Sequence, residues 1–198
     1  MVVDTYQIIK DIKTYAKENN VPIMTDDGIN YLTSYCIKNN IKNILEIGTA
    51  IGYSAILMAL TNNDVTVTTI ERDEKRYLEA LKNVKRSKLE DRIELIYNDA
   101  LEVKINGDYD LIFIDAAKAQ NIKFFEKFEK YLKSGGTIIT DNMDFHGLVD
   151  KDETEIESRN LRQLVRKIKA YKDFLENNKN YNTEFKDIGD GLAISIKK

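Results

Sequence analysis

The chain has one cysteine, one proline and one histidine in 198 residues, and each scarcity excludes something. A single thiol, Cys36, cannot form an internal disulfide framework, which argues for a reducing compartment. Cys36 lies in an apolar helical pattern and reads as a small packed residue. There is no Gly/Ser-rich linker, internal repeat or low-complexity tract, so nothing marks a boundary and residues 1–198 read as one domain. No run approaches the ~20 apolar residues that span a bilayer. The opening MVVDTYQIIKDIK is charged throughout and has no apolar signal core. The expected location is the cytoplasm, away from membranes. The net charge of −3 supplies no global pull toward nucleic acid or anionic lipid. Apolar and charged shares of 42% and 32% are those of an ordinary globular protein.

What is present is an alternation of helical and strand patterns. Helical spacing covers Tyr6–Glu18, Gly28–Lys38 (capped by Asp26 or Asp27), Ala50–Thr61, Asp73–Ser87, Gln120–Tyr131 and Thr154–Glu176. Between them lie the apolar or β-branched runs NILEI, VTVTTIE, RIELIYND, YDLIFID and TIITD, the last preceded by a turn KSGG. The closing YNTEFKDIGDGLAISIKK reads as two strands around the turn Gly189–Gly191. Five strands alternating with helices predict an α/β fold. Its sheet is mostly parallel, with helices on both faces and a C-terminal antiparallel hairpin. In such sheets ligands sit beyond the carboxyl ends of the strands. Glu46, Glu71, Asp99, Asp115 and Asp141 all fall at or near predicted strand ends, which puts five acids on one rim.

The loop EIGTAIGY follows the first strand. Gly48 and Gly52 permit a tight turn and close approach of a ligand, and the next helix offers free N–H groups at its start. A pyrophosphate could sit there, but the full G-x-G-x-x-G spacing is missing and Glu46 would repel it. An acid in this position suits an ammonium or sulfonium. Glu71, about 20 residues further on, is placed for ribose hydroxyls. A ribose together with a cation points to S-adenosylmethionine.

A second group lies on the neighbouring strand ends. Asp115, Asp141 and Asn142 offer hard oxygen donors that suit Mg²⁺ or Ca²⁺; water and substrate oxygens would complete the shell, which Mg²⁺ tolerates. A metal there could grip two adjacent substrate oxygens and lower the pKa of a hydroxyl. Lys118, three residues after Asp115, lies on a turn over the same rim. A dication beside a lysine favours its neutral form, which can accept a hydroxyl proton.

LEIGTAIGYSAILMA, IERD, YNDA, FIDAAKAQ, GGTIITDNMDFHGLV and GDGLAISIKK together resemble the cation-dependent O-methyltransferases, in order from about Met24 to the end. That family includes catechol and caffeoyl-CoA O-methyltransferases. Within it the chain most resembles the bacterial tRNA 5-hydroxyuridine methyltransferases, through DAAKAQ, the DN…F.GLV segment and the arginines after it. The resemblance implies a Rossmann-like class I methyltransferase with a seven-stranded sheet, S-adenosylmethionine and Mg²⁺ or Mn²⁺ as cofactors, and a homodimer. It implies that Glu46, Gly48 and Ser54 hold the methionine part of the cofactor, that Tyr53 shapes that pocket and that Glu71 binds the ribose. Asp99 and Ala100 would border the adenine. Met24 and Thr25 would lie across the entrance. Asp115, Asp141 and Asn142 would bind the metal, Asp115 also bordering the cofactor and serving catalysis, with Lys118 as general base.

The chain departs from plant relatives in a shorter N-terminus, and it lacks an evident insertion of the kind that covers a thioester substrate. Ala116 and Ala117 stand where a bulky residue can stand, which widens the pocket and favours an acceptor presented by a larger molecule. The implied reaction moves the sulfonium methyl to a hydroxyl oxygen. For 5-hydroxyuridine, the C5 hydroxyl and C4 carbonyl are adjacent oxygens able to chelate a metal as a catechol does, which makes wobble uridine of tRNA the expected acceptor and a small catechol-like phenol the alternative. A cofactor-binding partner without turnover is the rival from another class, and the intact Asp115, Lys118, Asp141 and Asn142 weigh against it. Arg159, Arg162 and Arg166 fall at i, i+3, i+7 beside Lys167, Lys169 and Lys172, a face able to meet phosphates or simply solvent. His146 borders the substrate, packs or lies on the surface, and is a poor candidate for a catalytic base. Phe145 stacks on a flat substrate or belongs to the core.

Overall fold

The computed structural model describes residues 4–144, 147, 149, 155–156 and 158–198. Two helices, α1 (Thr5–Glu18) and α2 (Asp26–Lys38), precede β1 (Asn43–Ile47), α3 (Tyr53–Ala59), β2 (Thr66–Glu71), α4 (Glu74–Arg86), β3 (Ile93–Tyr97) and β4 (Tyr109–Ile114). A 3-10 turn (Lys118–Gln120) leads into α5 (Asn121–Phe128), a second 3-10 turn (Glu129–Tyr131) and β5 (Leu132–Asp141). After them come α6 (Arg159–Asn177), β6 (Tyr181–Lys186) and β7 (Leu192–Lys197). The seven strands form one sheet in the order β3-β2-β1-β4-β5-β7-β6. Strands β1 to β5 are parallel, and β7 runs antiparallel between β5 and β6. The order runs outward from β1 through β2 to β3, then jumps back to β4 on the other side of β1. Ligand crevices open where the order reverses, between β1 and β4.

The central strands are apolar at consecutive positions because both faces are covered. Leu111 and Phe113 point into one core with α1, α2 and α3, and Ile112 and Ile114 into another with α5 and α6. The second core centres on Phe125, fully buried, with edge-on contacts to Tyr171 (6.4 Å), Phe174 (5.3 Å) and Tyr181 (4.9 Å). Cys36 is buried in the first core, and that burial pushes its thiol up to about 12. Helix α1 is held to the body by ion pairs from Asp11 to Arg86 and from Lys13 to Asp26.

Three local expectations are corrected. The cap of α2 is Thr25, whose hydroxyl accepts from the Gly28 amide at 3.2 Å; Asp26 and Asp27 lie inside the first turn, where the helix dipole favours them. The KSGG segment is not a turn that ends a helix: it lies within β5, where pairing jumps from Tyr109–Leu132 to Leu111–Thr137 and Gly135 (φ +73°) takes up the irregularity. The helix after the first glycine loop starts at Tyr53 rather than Ala50, since Ala50 (φ +46°) and Gly52 (φ +85°) are both left-handed. The long helix begins at Arg159 with Ser158 as its cap, and residues 145, 146 and 154 lie outside the described residues, so Phe145, His146 and the expected start at Thr154 do too. Among the described residues no helix is long and apolar enough to cross a membrane.

The aromatic cluster yields a direct expectation. Phe125→Ala removes the ring at its centre and should lower the unfolding free energy by about 3–5 kcal/mol. Urea denaturation checks this, and a loss under about 1 kcal/mol would show that the cluster repacks without cost.

Candidate functional site

The end of β1 and the end of β4 meet at the reversal point. The Asp115 amide donates to the Ile47 carbonyl (2.9 Å), and the Gly48 and Thr49 amides donate to the Ile70 carbonyl of β2 (3.0 and 3.2 Å). Gly48 has φ +103°, and a Cβ on it would collide with the Asp115 carbonyl. The glycine is therefore required twice, for its backbone angle and for the contact. Over this junction opens a cleft of about 570 Å³, at the carboxyl ends of the parallel strands.

Of the residues expected from sequence, Met24, Gly48, Glu71, Asp99, Ala100, Asp115, Lys118, Asp141 and Asn142 line this cleft. Thr25, Glu46, Tyr53 and Ser54 do not. Glu46 has no exposed surface. Its carboxylate accepts from the Ser54 hydroxyl and from Thr69 Oγ1 (2.5 Å), and Thr69 in turn bonds Thr49 at 2.6 Å. Glu46 and Ser54 are thus joined to each other behind the glycine loop. Burial raises Glu46 to about 7, against the pull of its two hydroxyl donors. Tyr53 is buried beside them at the start of α3, and Thr25 is occupied as the α2 cap.

Glu71 is fixed by main chain. Its Oε2 accepts from the Ala50 amide (2.8 Å), and its Oε1 from the Arg72 and Asp73 amides (2.9 and 2.8 Å). A carboxylate has about four acceptor directions, so one side of Glu71 is left for a ligand in the cleft. Next to it Asp99 accepts from the Leu101 amide (2.8 Å) and pairs with Arg72 (3.3 Å).

At the other end of the cleft, Asn142 (φ +63°) links two carboxylates. Its side-chain amide donates to Asp115 Oδ1 (3.1 Å) and its main-chain amide to Asp141 Oδ1 (2.7 Å). Asp115 keeps some surface on the cleft, yet desolvation, followed by the charge of Asp141, holds its carboxyl well above the usual range. Burial raises Asp141 to about 6; Asp190 adds to the rise, while the Asn142 amide and Lys118 oppose it. Asn142 thus ties the two oxygen-donor acids to one point of the cleft. They do not form a cage by themselves: among the described residues no three His, Cys, Asp or Glu side chains come together as a metal-holding group.

Sequence reasoning missed Asp190, Arg72 and Arg76 in the cleft lining. Asp190 stands in the Gly189–Gly191 turn, and Arg72 and Arg76 at the start of the helix expected over Asp73–Ser87, where local pattern alone marks no ligand. On α6, Arg159, Arg166 and Lys167 are exposed, whereas Arg162 is half-buried and donates to the Ile156 carbonyl. The arginine face is thus split, one member serving structure.

Fold and cleft together are those of a class I methyltransferase. The sequence profile of the O-methyltransferase family matches residues 2–198, and the chain belongs to that family; it is an O-methyltransferase. It is similar to a provisionally assigned caffeoyl-CoA O-methyltransferase from Staphylococcus aureus, with 44% identity over 96% of this chain and 92% of that one and a TM-score of 0.91. An O-methyltransferase from Bacillus cereus, solved with S-adenosylhomocysteine, is 26% identical over 97% of this chain and 91% of its own, with a TM-score of 0.82. A caffeoyl-CoA O-methyltransferase from Populus kitakamiensis is 28% identical over 92% of this chain and 80% of its own length.

The buried Glu46 sets a pH dependence. Its folded value near 7 lies above the ordinary 4.5, so the fold favours the protonated acid. The associated stability is complete below about 4.5 and is lost as pH rises through 7. Glu46→Gln removes this loss. Relative to wild type, the ligand-free variant should gain about 2 kcal/mol in urea unfolding free energy between pH 5 and pH 8. An offset that stays the same at both pH values would show that Glu46 is ionised in the folded chain.

Proposed function

We propose that the enzyme transfers the methyl group of S-adenosylmethionine, with the help of a divalent cation, to one of two adjacent oxygens on its acceptor. The acceptor we assign is 5-hydroxyuridine at the wobble position of tRNA, giving 5-methoxyuridine. The observation that carries the reading is the meeting, in one cleft, of Glu71 at one end and Asp115, Asp141, Asn142 and Lys118 at the other, with the bare backbone of Gly48 between them.

In this reading Glu71 takes the ribose hydroxyls, and Asp99 and Ala100 border the adenine. Gly48 lets the methionine part lie against main chain, with Asp115 alongside. Glu46 and Ser54 act from behind the loop, placing a buried acid under the sulfonium end, and Tyr53 packs the same wall. Met24 and Thr25 form the entrance. Asp115, Asp141 and the Asn142 amide oxygen would hold Mg²⁺ or Mn²⁺; hard oxygen donors from adjoining strand ends fit such an ion, and the mutual repulsion of the two acids favours it. Bound there, the ion supplies Lewis-acid chemistry that lowers the pKa of a hydroxyl. Lys118 Nζ receives the acceptor's hydroxyl proton. The acceptor oxygen then forms its bond to the methyl carbon as the carbon–sulfur bond breaks, leaving S-adenosylhomocysteine. Holding donor and acceptor in one desolvated cleft supplies the positioning part of the rate.

Support for a large acceptor comes from the cleft wall, which Ala116 and Ala117 line with small side chains. It also comes from α6, which packs against the 3-10 turn bearing Lys118 and exposes Arg159, Arg166 and Lys167 nearby. The reading places the enzyme in the cytoplasm with its tRNA, as a homodimer joined through the outer face of α1, where Tyr6 is exposed.

Replacing Asp115 and Asp141 together by Ala should abolish Mg²⁺-dependent methylation while S-adenosylmethionine still binds in calorimetry. Full activity in the double variant would remove the cation from the mechanism. For the acceptor, tRNA from a strain lacking the enzyme should lose 5-methoxyuridine on nucleoside analysis. Unchanged 5-methoxyuridine, with methylation of a catechol by the purified protein, would replace tRNA by a small phenol.

A further inference from the structure

Asp190 is a residue of the cleft that neither the strand ends nor the glycine loop account for. It is brought there by the terminal hairpin. In the β5–β7 register Asp141 pairs with Leu192, so the turn just before Leu192 overhangs the carboxyl end of β5. Main-chain bonds fasten the turn to the segment after β5: Met143 N donates to the Gly191 carbonyl and Asp144 N to the Asp190 carbonyl, both at 2.9 Å. A third, from Gly191 N to the Ile188 carbonyl (3.0 Å), closes the turn on itself. The flanking glycines show how tightly it is wedged. A Cβ on Gly191 would lie 2.6 Å from Asp144 N, and one on Gly189 would collide with the Thr25 hydroxyl. The turn is therefore held between the α2 cap on one side and the Met143–Asp144 segment on the other. Asp187, in the same turn, is exposed and does not line the cleft.

The consequence is a charge count at one end of the cleft. Asp115, Asp141 and Asp190 bring three carboxyl groups to that end, and Lys118 one amine. Asp190 lies within electrostatic reach of both Asp115 and Asp141. The three do not converge as a ligand cage. Asp190 thus adds field and a hydrogen-bond acceptor from outside the ligand set.

We propose that Asp190 is a positioning residue for the divalent cation: a third carboxylate, held rigidly by the terminal hairpin, that retains the ion on Asp115, Asp141 and Asn142 without binding it directly. This rests on the divalent reading above. Outer groups of this kind typically change metal affinity 10–100-fold.

The test is Mn²⁺ binding to the whole protein without donor or acceptor, followed by electron paramagnetic resonance of the free ion. Asp190→Asn keeps the shape and removes the charge. It should weaken Mn²⁺ binding at least about 10-fold while the melting temperature without metal stays within about 3 °C. Asp187→Asn, an equal charge change in the same turn, should leave the affinity unaltered. Unchanged affinity in Asp190→Asn, or equal weakening in Asp187→Asn, overturns the role of Asp190 while the cation site stands. A wild-type protein that takes up no Mn²⁺ is a different result and overturns the divalent reading itself. Should Asp190→Asn lower the melting temperature sharply, Asp190→Glu decides the matter, because restored Mn²⁺ affinity there supports a charge role and its absence a purely structural one.

Discussion

The contact between Gly48 and the Asp115 carbonyl governs the rest of the molecule. Two neighbouring parallel strands end side by side, and the chain leaves one of them with no side chain between it and the other. Because Gly48 adopts a left-handed angle, the loop turns up and back toward β2, where its amides reach the Ile70 carbonyl. That turn brings Ala50 to Glu71, so the acid at the end of β2 is fixed by the same loop that is pressed against β4. The two ends of the cleft are therefore not independent. Moving Asp115 means moving Gly48, and moving Gly48 disturbs the anchorage of Glu71.

The fold accepts an electrostatic burden at this junction. Glu46 lies under the loop with no exposure, and Asp115 and Asp141 are raised above the ordinary carboxylate range in the cleft floor. In each case burial disfavours the charged form of the carboxyl. Packing elsewhere offsets this burden, above all the aromatic group around Phe125 and the doubly covered central strands. Departure from local optimum at a site, compensated by conventional cores on either side, is the usual mark of a binding centre.

Much of this was legible in sequence because buried parallel strands read as unbroken apolar runs, and the residue that stops each run is the one at the rim. Glu71, Asp115 and Asp141 stand out for that reason. Glu46 is different: in a strand covered on both faces, two-residue alternation does not tell which way a side chain points, and it turned to Ser54 and Thr69 rather than to the cleft. The α2 cap was misplaced because Thr25, Asp26 and Asp27 are all good cap residues and only the backbone decides among them. KSGG has turn composition, yet pairing with β4 on both sides keeps it in the strand. Asp190 was hidden because its position depends on a register between residues some fifty apart in the chain, which local pattern does not carry.

An acidic floor also imposes a condition on whatever enters. A cleft lined by Glu71, Asp99, Asp115, Asp141 and Asp190 repels phosphate, and cations such as Lys118, Arg72 and Arg76 are fewer than the acids. A donor with a positive sulfur suits this environment, and a neutral acceptor ring can reach the floor. An acceptor carrying phosphates can do so only if its phosphates remain outside; in the proposed reading the basic side chains exposed on α6, the helix that packs on the turn carrying Lys118, would take them. On the proposed reading the two tasks would be separate: the acidic interior would take the reacting group, and the exposed arginines and lysine of α6 the body of a large acceptor. A phenol of the catechol type would use only the first.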